Sequence, residues 1–149
     1  MTSPPMVSRI LETSLYVEDL DRSAAFYQRV FGFQVMLHDF RMVALAVPGR
    51  EVLLLFRKGG STEPSDTPYG PIPAHDSQGV QHLCFAIPAD ALEAWRHHLE
   101  ANGVALESEL TWPQATSLYF RDPDGHSLEV ATPGLWANDR ADWPGTPAA

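Results

Sequence analysis

The run SLYVEDLDRSAAFYQRVFGF, residues 14–33, turns from strand to helix and then stops. Residues 10–17 (ILETSLYV) are rich in β-formers and predict a strand. Asp19 stands where a helix N-cap belongs. Leu20, Ala24, Tyr27, Val30 and Phe31 follow at helical spacing, and Gly32 closes the helix. Downstream, 33–37, 42–47 and 52–56 read as three strands, the last two separated by a Pro48-Gly49 turn.

The same order then returns. Residues 80–87 (VQHLCFAI) are strand-like, Pro88 opens a second helix, and Leu92, Trp95 and Leu99 share one of its faces before Asn102-Gly103. Three more strands are predicted at 104–110, 116–121 and 127–131. The intervening residues 58–79 are dense in Gly, Pro, Ser and Asp, so a long irregular connection is expected, of the kind that is usually functional or mobile. The organisation is one domain, 1–149: module 1 at about 8–57, the connection 58–79, module 2 at about 80–132, and a Pro/Gly-rich tail 133–149 expected to pack as coil or fray. Superposing the halves sets Glu12 opposite His82; aligning the turn glycines Gly49 and Gly125 sets Leu53 opposite Glu129. Two modules facing each other would bring these positions towards a common centre.

Composition narrows the partners. With 149 residues, 44% apolar and 19% charged, the chain has room for a real core. A net charge of −9 with no Lys/Arg cluster argues against nucleic acid and anionic membrane. Cys84 is the sole cysteine, which suits a reducing compartment, and neither a signal-peptide pattern nor a bilayer-length apolar run appears. A cytoplasmic protein is expected.

Strand alternation sorts the side chains by face. His82, Cys84 and Ala86 oppose Leu83, Phe85 and Ile87; Glu12, Ser14 and Tyr16 oppose Leu11, Leu15 and Val17; Glu129 opposes Leu128 and Val130. One imidazole and two carboxylates thus fall opposite the apolar sets. They suit a hard or borderline divalent ion with open coordination positions. Taken singly, a strand histidine is more often a hydrogen-bonded core residue and a strand glutamate more often solvated. Their matched places in the repeat are what join them.

Residues 14–33, GVQHLCFAI (79–87) and above all SLYFRDPDGHSLEV (117–130) resemble the vicinal oxygen chelate superfamily, the glyoxalase/bleomycin-resistance/extradiol-dioxygenase group, over about residues 10–133. The resemblance implies an α+β fold, two βαβββ modules forming an incomplete mixed β-barrel cup. It implies one divalent metal per chain (Fe, Mn, Zn, Ni or Mg) on Glu12, His82 and Glu129. It also implies Lewis-acid chemistry on a small molecule with neighbouring oxygens, in a lyase/isomerase or dioxygenase-like enzyme. A homodimer is expected from the same likeness and from four Trp and seven Phe in a short chain. Glu12 and Tyr119 are the candidates for catalytic roles. Tyr16, Cys84, Trp112, Ser117, Tyr119, Arg121 and, from the connection, His75 are the candidates for the pocket. Several of these have plainer readings: Tyr119 as an aromatic wall, Arg121 paired with Asp122 or Asp124, Cys84 as a packing residue and His75 as a solvent-exposed loop residue. Tyr69, Ile72 and His75 are expected to form a lid.

Departures from the family pattern narrow the branch. Leu53 occupies the position of the fourth glyoxalase ligand, and Leu110 to Pro113 lack the histidine that extradiol dioxygenases place there. Fosfomycin-type thiol transferases share the third run, yet Glu109 falls near their lysine. The alternative from another class is a metal-free protein that sequesters a drug or metabolite, as bleomycin-resistance members do.

Overall fold

Asp19 and Gly32 bracket the first helix as the sequence implies. Asp19 is extended and its carboxylate accepts from Arg22 N; Gly32 takes φ 70° and returns its N–H to Gln28 O. The computed structural model describes residues 1 and 3–145. The expected tail therefore lies partly outside the described residues, at 146–149. The chain divides into two units, between Gln78 and Gly79.

In the first unit, strand β1 (Glu12–Val17) leads into helix α1 (Leu20–Phe31), then β2 (Gln34–His38), β3 (Met42–Val47) and β4 (Glu51–Arg57). The sheet order is β1-β4-β3-β2, with β1 parallel to β4 and the other pairs antiparallel. Leu20, Ala24, Phe26, Tyr27 and Val30 of α1 are buried, as are Leu15, Val17, Val43, Leu45, Leu53 and Leu55 of the strands. Each large side chain withdrawn from water here contributes roughly 1.5–3 kcal/mol.

Two more strands then appear where an irregular connection is expected: β5 (Ser65–Thr67) and β6 (Gly70–Ile72) form a hairpin. Its turn is closed by side-chain chemistry that hydrophobic patterning does not register. Thr67 Oγ1 donates to Gly70 O (2.7 Å) and accepts from Tyr69 N (3.1 Å).

The second unit repeats the plan. Strand β7 (His82–Ala86), helix α2 (Leu92–Ala101), β8 (Ser108–Thr111), β9 (Thr116–Arg121) and β10 (Ser127–Ala131) give the order β7-β10-β9-β8, with β7 parallel to β10. Leu99, Leu118, Phe120, Leu128 and Val130 form its core. The helix starts four residues later than Pro88 suggests, because 88–91 close a turn through Ala91 N to Pro88 O. The next strand also starts late. Val104 N donates to Leu99 O and belongs to the helix exit. Both units are βαβββ modules, and the fold class is α+β. Among the described residues no helix is long and apolar enough to cross a membrane.

Pairing also corrects the internal alignment. Glu12 pairs with Val52 and Ser14 with Leu54, while His82 pairs with Ser127 and Cys84 with Glu129. If Glu12 corresponds to His82, the counterpart of Glu129 is Leu54, not Leu53. Leu53 lies in the core, 1% exposed.

Candidate functional site

Parallel pairing of β7 with β10 places three groups of the second unit side by side. His82 Nδ1 meets the carbonyl of Ser127, its strand partner, at 2.9 Å. A carbonyl only accepts, so Nδ1 carries the proton and donates it. His82 Nε2 then faces Glu129 Oε2 at 3.2 Å. With Nδ1 protonated, Nε2 either bears a second proton or directs a lone pair at a carboxylate oxygen. The first is an ordinary ion pair; the second is favourable when a proton or a metal ion lies between them. A histidine whose far nitrogen is tied to a backbone carbonyl is the way proteins orient an imidazole towards a metal.

Glu129 strengthens that reading. It is 3% exposed, and among the described residues its Oε1 makes no hydrogen bond of ordinary geometry, although the Tyr119 hydroxyl and the Cys84 thiol lie close enough to the carboxylate to feel it. Burying a carboxylate oxygen unsatisfied is costly, so the observation wants an explanation. A divalent cation supplies one. A neutral imidazole and a carboxylate are suitable donors for it. Among the described residues no group of three or more His, Cys, Asp or Glu side chains stands assembled as a metal cluster. What the second unit brings together is the His82–Glu129 pair.

The flanking residues share Glu129's influence. Tyr119 pairs with Glu129 across β9–β10, and its ring stacks near that of His82, centroids 6.2 Å apart. Desolvation, then hydrogen bonding to Glu129 and its charge, hold the Tyr119 hydroxyl above its ordinary value, opposed by Ser117. Desolvation and Glu129 push the Cys84 thiol up to about 12. The Cys84 residue is itself exposed, so water screens part of the desolvation, and the Glu129 carboxylate acts in the same direction. Cys84 is thus a protonated thiol, not a poised nucleophile.

Ser117 is fully buried and accepts from the Trp112 indole N–H at 3.0 Å; Trp112 stays 40% exposed as a wall beside this face. Arg121 is engaged locally. Its guanidinium grips Glu107 through two nitrogens (2.5 and 2.8 Å) and donates to Gly125 O.

The remaining candidates belong to the first unit. Glu12 opens β1 and is exposed. Tyr16, on the same face by alternation, is buried, and its hydroxyl meets His75 Nδ1 at 2.6 Å. The His75 ring packs against Phe56 at 4.4 Å, and its backbone N donates to Ser61 O. His75 is therefore docked rather than loose, whereas Tyr69 is 98% exposed and Ile72 40% exposed. A hollow of about 380 Å³ in this unit, lined by Glu18, Asp21, His38, Phe40 and Arg57 among others, contains none of the candidates. Of its acids, Asp21 pairs with His38 and Glu18 with Lys58.

Sequence reading missed His126, which is fully buried with Nδ1 accepting from Gln81 N at 3.0 Å. The available signal was its place between the Asp122–Gly125 turn and the first residue of β10.

Comparison with known proteins bears on the fold and the family. Residues 9–130 match the family model described as Glyoxalase/Bleomycin resistance protein/Dioxygenase superfamily. The crystal structure of lactoylglutathione lyase from Agrobacterium tumefaciens superposes with a TM-score of 0.80 at 39% identity, covering 90% of this chain and 98% of that one. Catechol-2,3-dioxygenase of Bacillus subtilis is 28% identical over 94% of this chain, which spans only 48% of that enzyme. Metallothiol transferase FosB of Staphylococcus saprophyticus is 26% identical over 93% of this chain and 84% of its own length.

Proposed function

Because the chain belongs to the Glyoxalase/Bleomycin resistance protein/Dioxygenase superfamily, we propose that it is a divalent-metal-dependent enzyme acting on a small molecule with two neighbouring oxygens, with His82 and Glu129 as metal ligands. The observation that carries this reading is the buried Oε1 of Glu129, without a hydrogen bond of ordinary geometry, beside a histidine whose other nitrogen is already committed. When bound, the metal supplies Lewis-acid polarisation of substrate oxygens.

The chain's own residues do the rest. Ser127 fixes the His82 tautomer. Tyr119, kept protonated by its surroundings, serves as a hydrogen-bond donor to a substrate oxygen, and Trp112 walls the apolar end. Substrate charge is limited as well. Among the described residues of the second unit, Arg96 is paired with Glu93 and Glu109, Arg121 with Glu107, and Arg140 donates to Gly134 O. No guanidinium there is spare for a dianion, so a neutral or singly charged substrate fits best.

The test is metal content of protein purified without chelators, for wild type and His82→Ala, followed by turnover assays on catechols and lactoylglutathione, the compounds that two relatives' names specify. Near-stoichiometric metal in wild type and none in the variant is expected. Metal-free wild type, or full metal in the variant, would overturn the reading.

The same reading includes a homodimer. The edge strand β2 leaves Val35, Met36 and Leu37 exposed, and β8 leaves Leu110 exposed beside Trp112. Light scattering should give twice the chain mass of 16.5 kDa; the monomer mass at micromolar concentration would refute pairing.

A further inference from the structure

The turn that precedes β10 does more than reverse the chain. Asp122, 5% exposed, accepts from Asp124 N (3.0 Å) and His126 N (2.9 Å) through one oxygen. Gly125, at φ 81°, donates its N–H to Asp122 O. Wound this way, the turn delivers His126 inward, and its ring is fully buried. There Nδ1 accepts the backbone N–H of Gln81 at 3.0 Å, while Ser127 N donates to Gln81 O at 2.8 Å. Both polar groups of the Gln81 peptide positions are thus held by two consecutive residues, His126 and Ser127.

Gln81 immediately precedes His82, and Ser127 is the residue whose carbonyl receives His82 Nδ1. The clamp fixes where β7 begins against β10, and so which carbonyl lies beside the His82 ring. A one-residue slip in a strand turns every side chain to the opposite face. Here that would carry His82 away from Glu129.

We infer that His126 is a positioning residue for the His82–Glu129 pair: its Nδ1, by holding the Gln81 amide, sets the register that points His82 Nε2 at Glu129. This rests on the proposed metal reading only for its effect on affinity. The effect on the His82 ring stands apart from it.

The experiment compares His126→Leu, which fills similar space without an acceptor, with His126→Asn, whose amide oxygen can occupy the place of Nδ1. Two readouts are taken on the full chain: the His82 tautomer by ¹⁵N imidazole NMR in chelated protein, and Mn²⁺ or Zn²⁺ affinity by calorimetry. Wild type and His126→Asn should show His82 protonated at Nδ1. His126→Leu should lose that single tautomer and bind metal about 10–100-fold more weakly, the usual cost of disturbing a residue that orients a ligand.

If His126→Leu melts earlier yet keeps the His82 tautomer and the wild-type affinity, His126 only stabilises the fold and the inference is overturned. If wild type binds no metal but the tautomer still depends on residue 126, the positioning role stands and the metal reading falls. Should His126→Leu fail to fold, His126→Gln, which moves the acceptor one bond outward, replaces it. His126→Gln matching His126→Asn in both readouts would then count against the inference.

Discussion

Glu129→Gln should stabilise the metal-free protein and destabilise the metal-loaded one. The substitution keeps the shape of the side chain and removes a charge that is 3% exposed, with one oxygen lacking a hydrogen bond of ordinary geometry. Gln keeps one acceptor oxygen and adds an NH2 group, so what is relieved is the burial of the charge, worth about 1–3 kcal/mol. Against this stands the lost attraction to His82. That side chain is 51% exposed, so the contact contributes about 0–1 kcal/mol, and the charge left behind is hydrated rather than stranded. The net gain is about 0–3 kcal/mol, with a midpoint near 1.5, which at that midpoint is roughly 3–6 °C in melting temperature for a chain of this length. Metal at a hundred times its dissociation constant adds about 2.7 kcal/mol to wild type and nothing to a variant that no longer binds it. The order of stabilities therefore reverses, wild type leading by about 1 kcal/mol. Thermal melts of both proteins, with chelator and with Mn²⁺ or Zn²⁺, read this directly. A variant less stable than wild type in chelator would refute the claim that Glu129 is held at a cost to the fold.

Two further outcomes follow from the neighbours. In chelated protein at pH 8, Cys84 should alkylate with iodoacetamide more slowly than a free thiol, and Glu129→Gln should speed it severalfold; equal rates would show that the carboxylate does not govern the thiol. Because the folded thiol lies near 12, above its usual value of 9.0, its contribution to stability is present at neutral pH and is lost as pH rises through that interval. Tyr16→Phe removes the 2.6 Å contact with His75 and should cost about 0.5–1.5 kcal/mol. It should also raise amide exchange across 73–78, since His75 docks that segment on Phe56; unchanged exchange would mean that the backbone contact to Ser61 alone holds it.

Much of this architecture was legible because alternation and helical spacing report burial directly. Strands β3, β9 and β10 were read with their observed bounds, and Asp19 and Gly32 marked the first helix through cap chemistry that a sequence displays openly. The hairpin at 65–72 was not legible. It is held by Thr67 and by Arg41 Nη1 donating to Ser65 Oγ (2.6 Å), and neither leaves a periodic trace. The slip from Leu54 to Leu53 has a local cause. In the first unit Arg50 also takes positive φ (65°) after Gly49, so one more residue intervenes before the paired strand than follows Gly125. Aligning glycines assumes equal turns, and these turns differ. His126 was passed over because its role depends on a backbone amide 45 residues away.

The corrected register sharpens the meaning of Glu129. Its counterpart in the first unit is Leu54, paired with Ser14 as Glu129 is paired with Cys84. The same βαβββ frame therefore accepts an apolar side chain at that point of the sheet. The backbone of the second unit has no need of a carboxylate there, and an apolar residue would avoid the unsatisfied oxygen. A buried charge that the fold could do without, set 3.2 Å from a histidine whose other nitrogen is already engaged, is what the proposed metal-binding role would account for and packing would not.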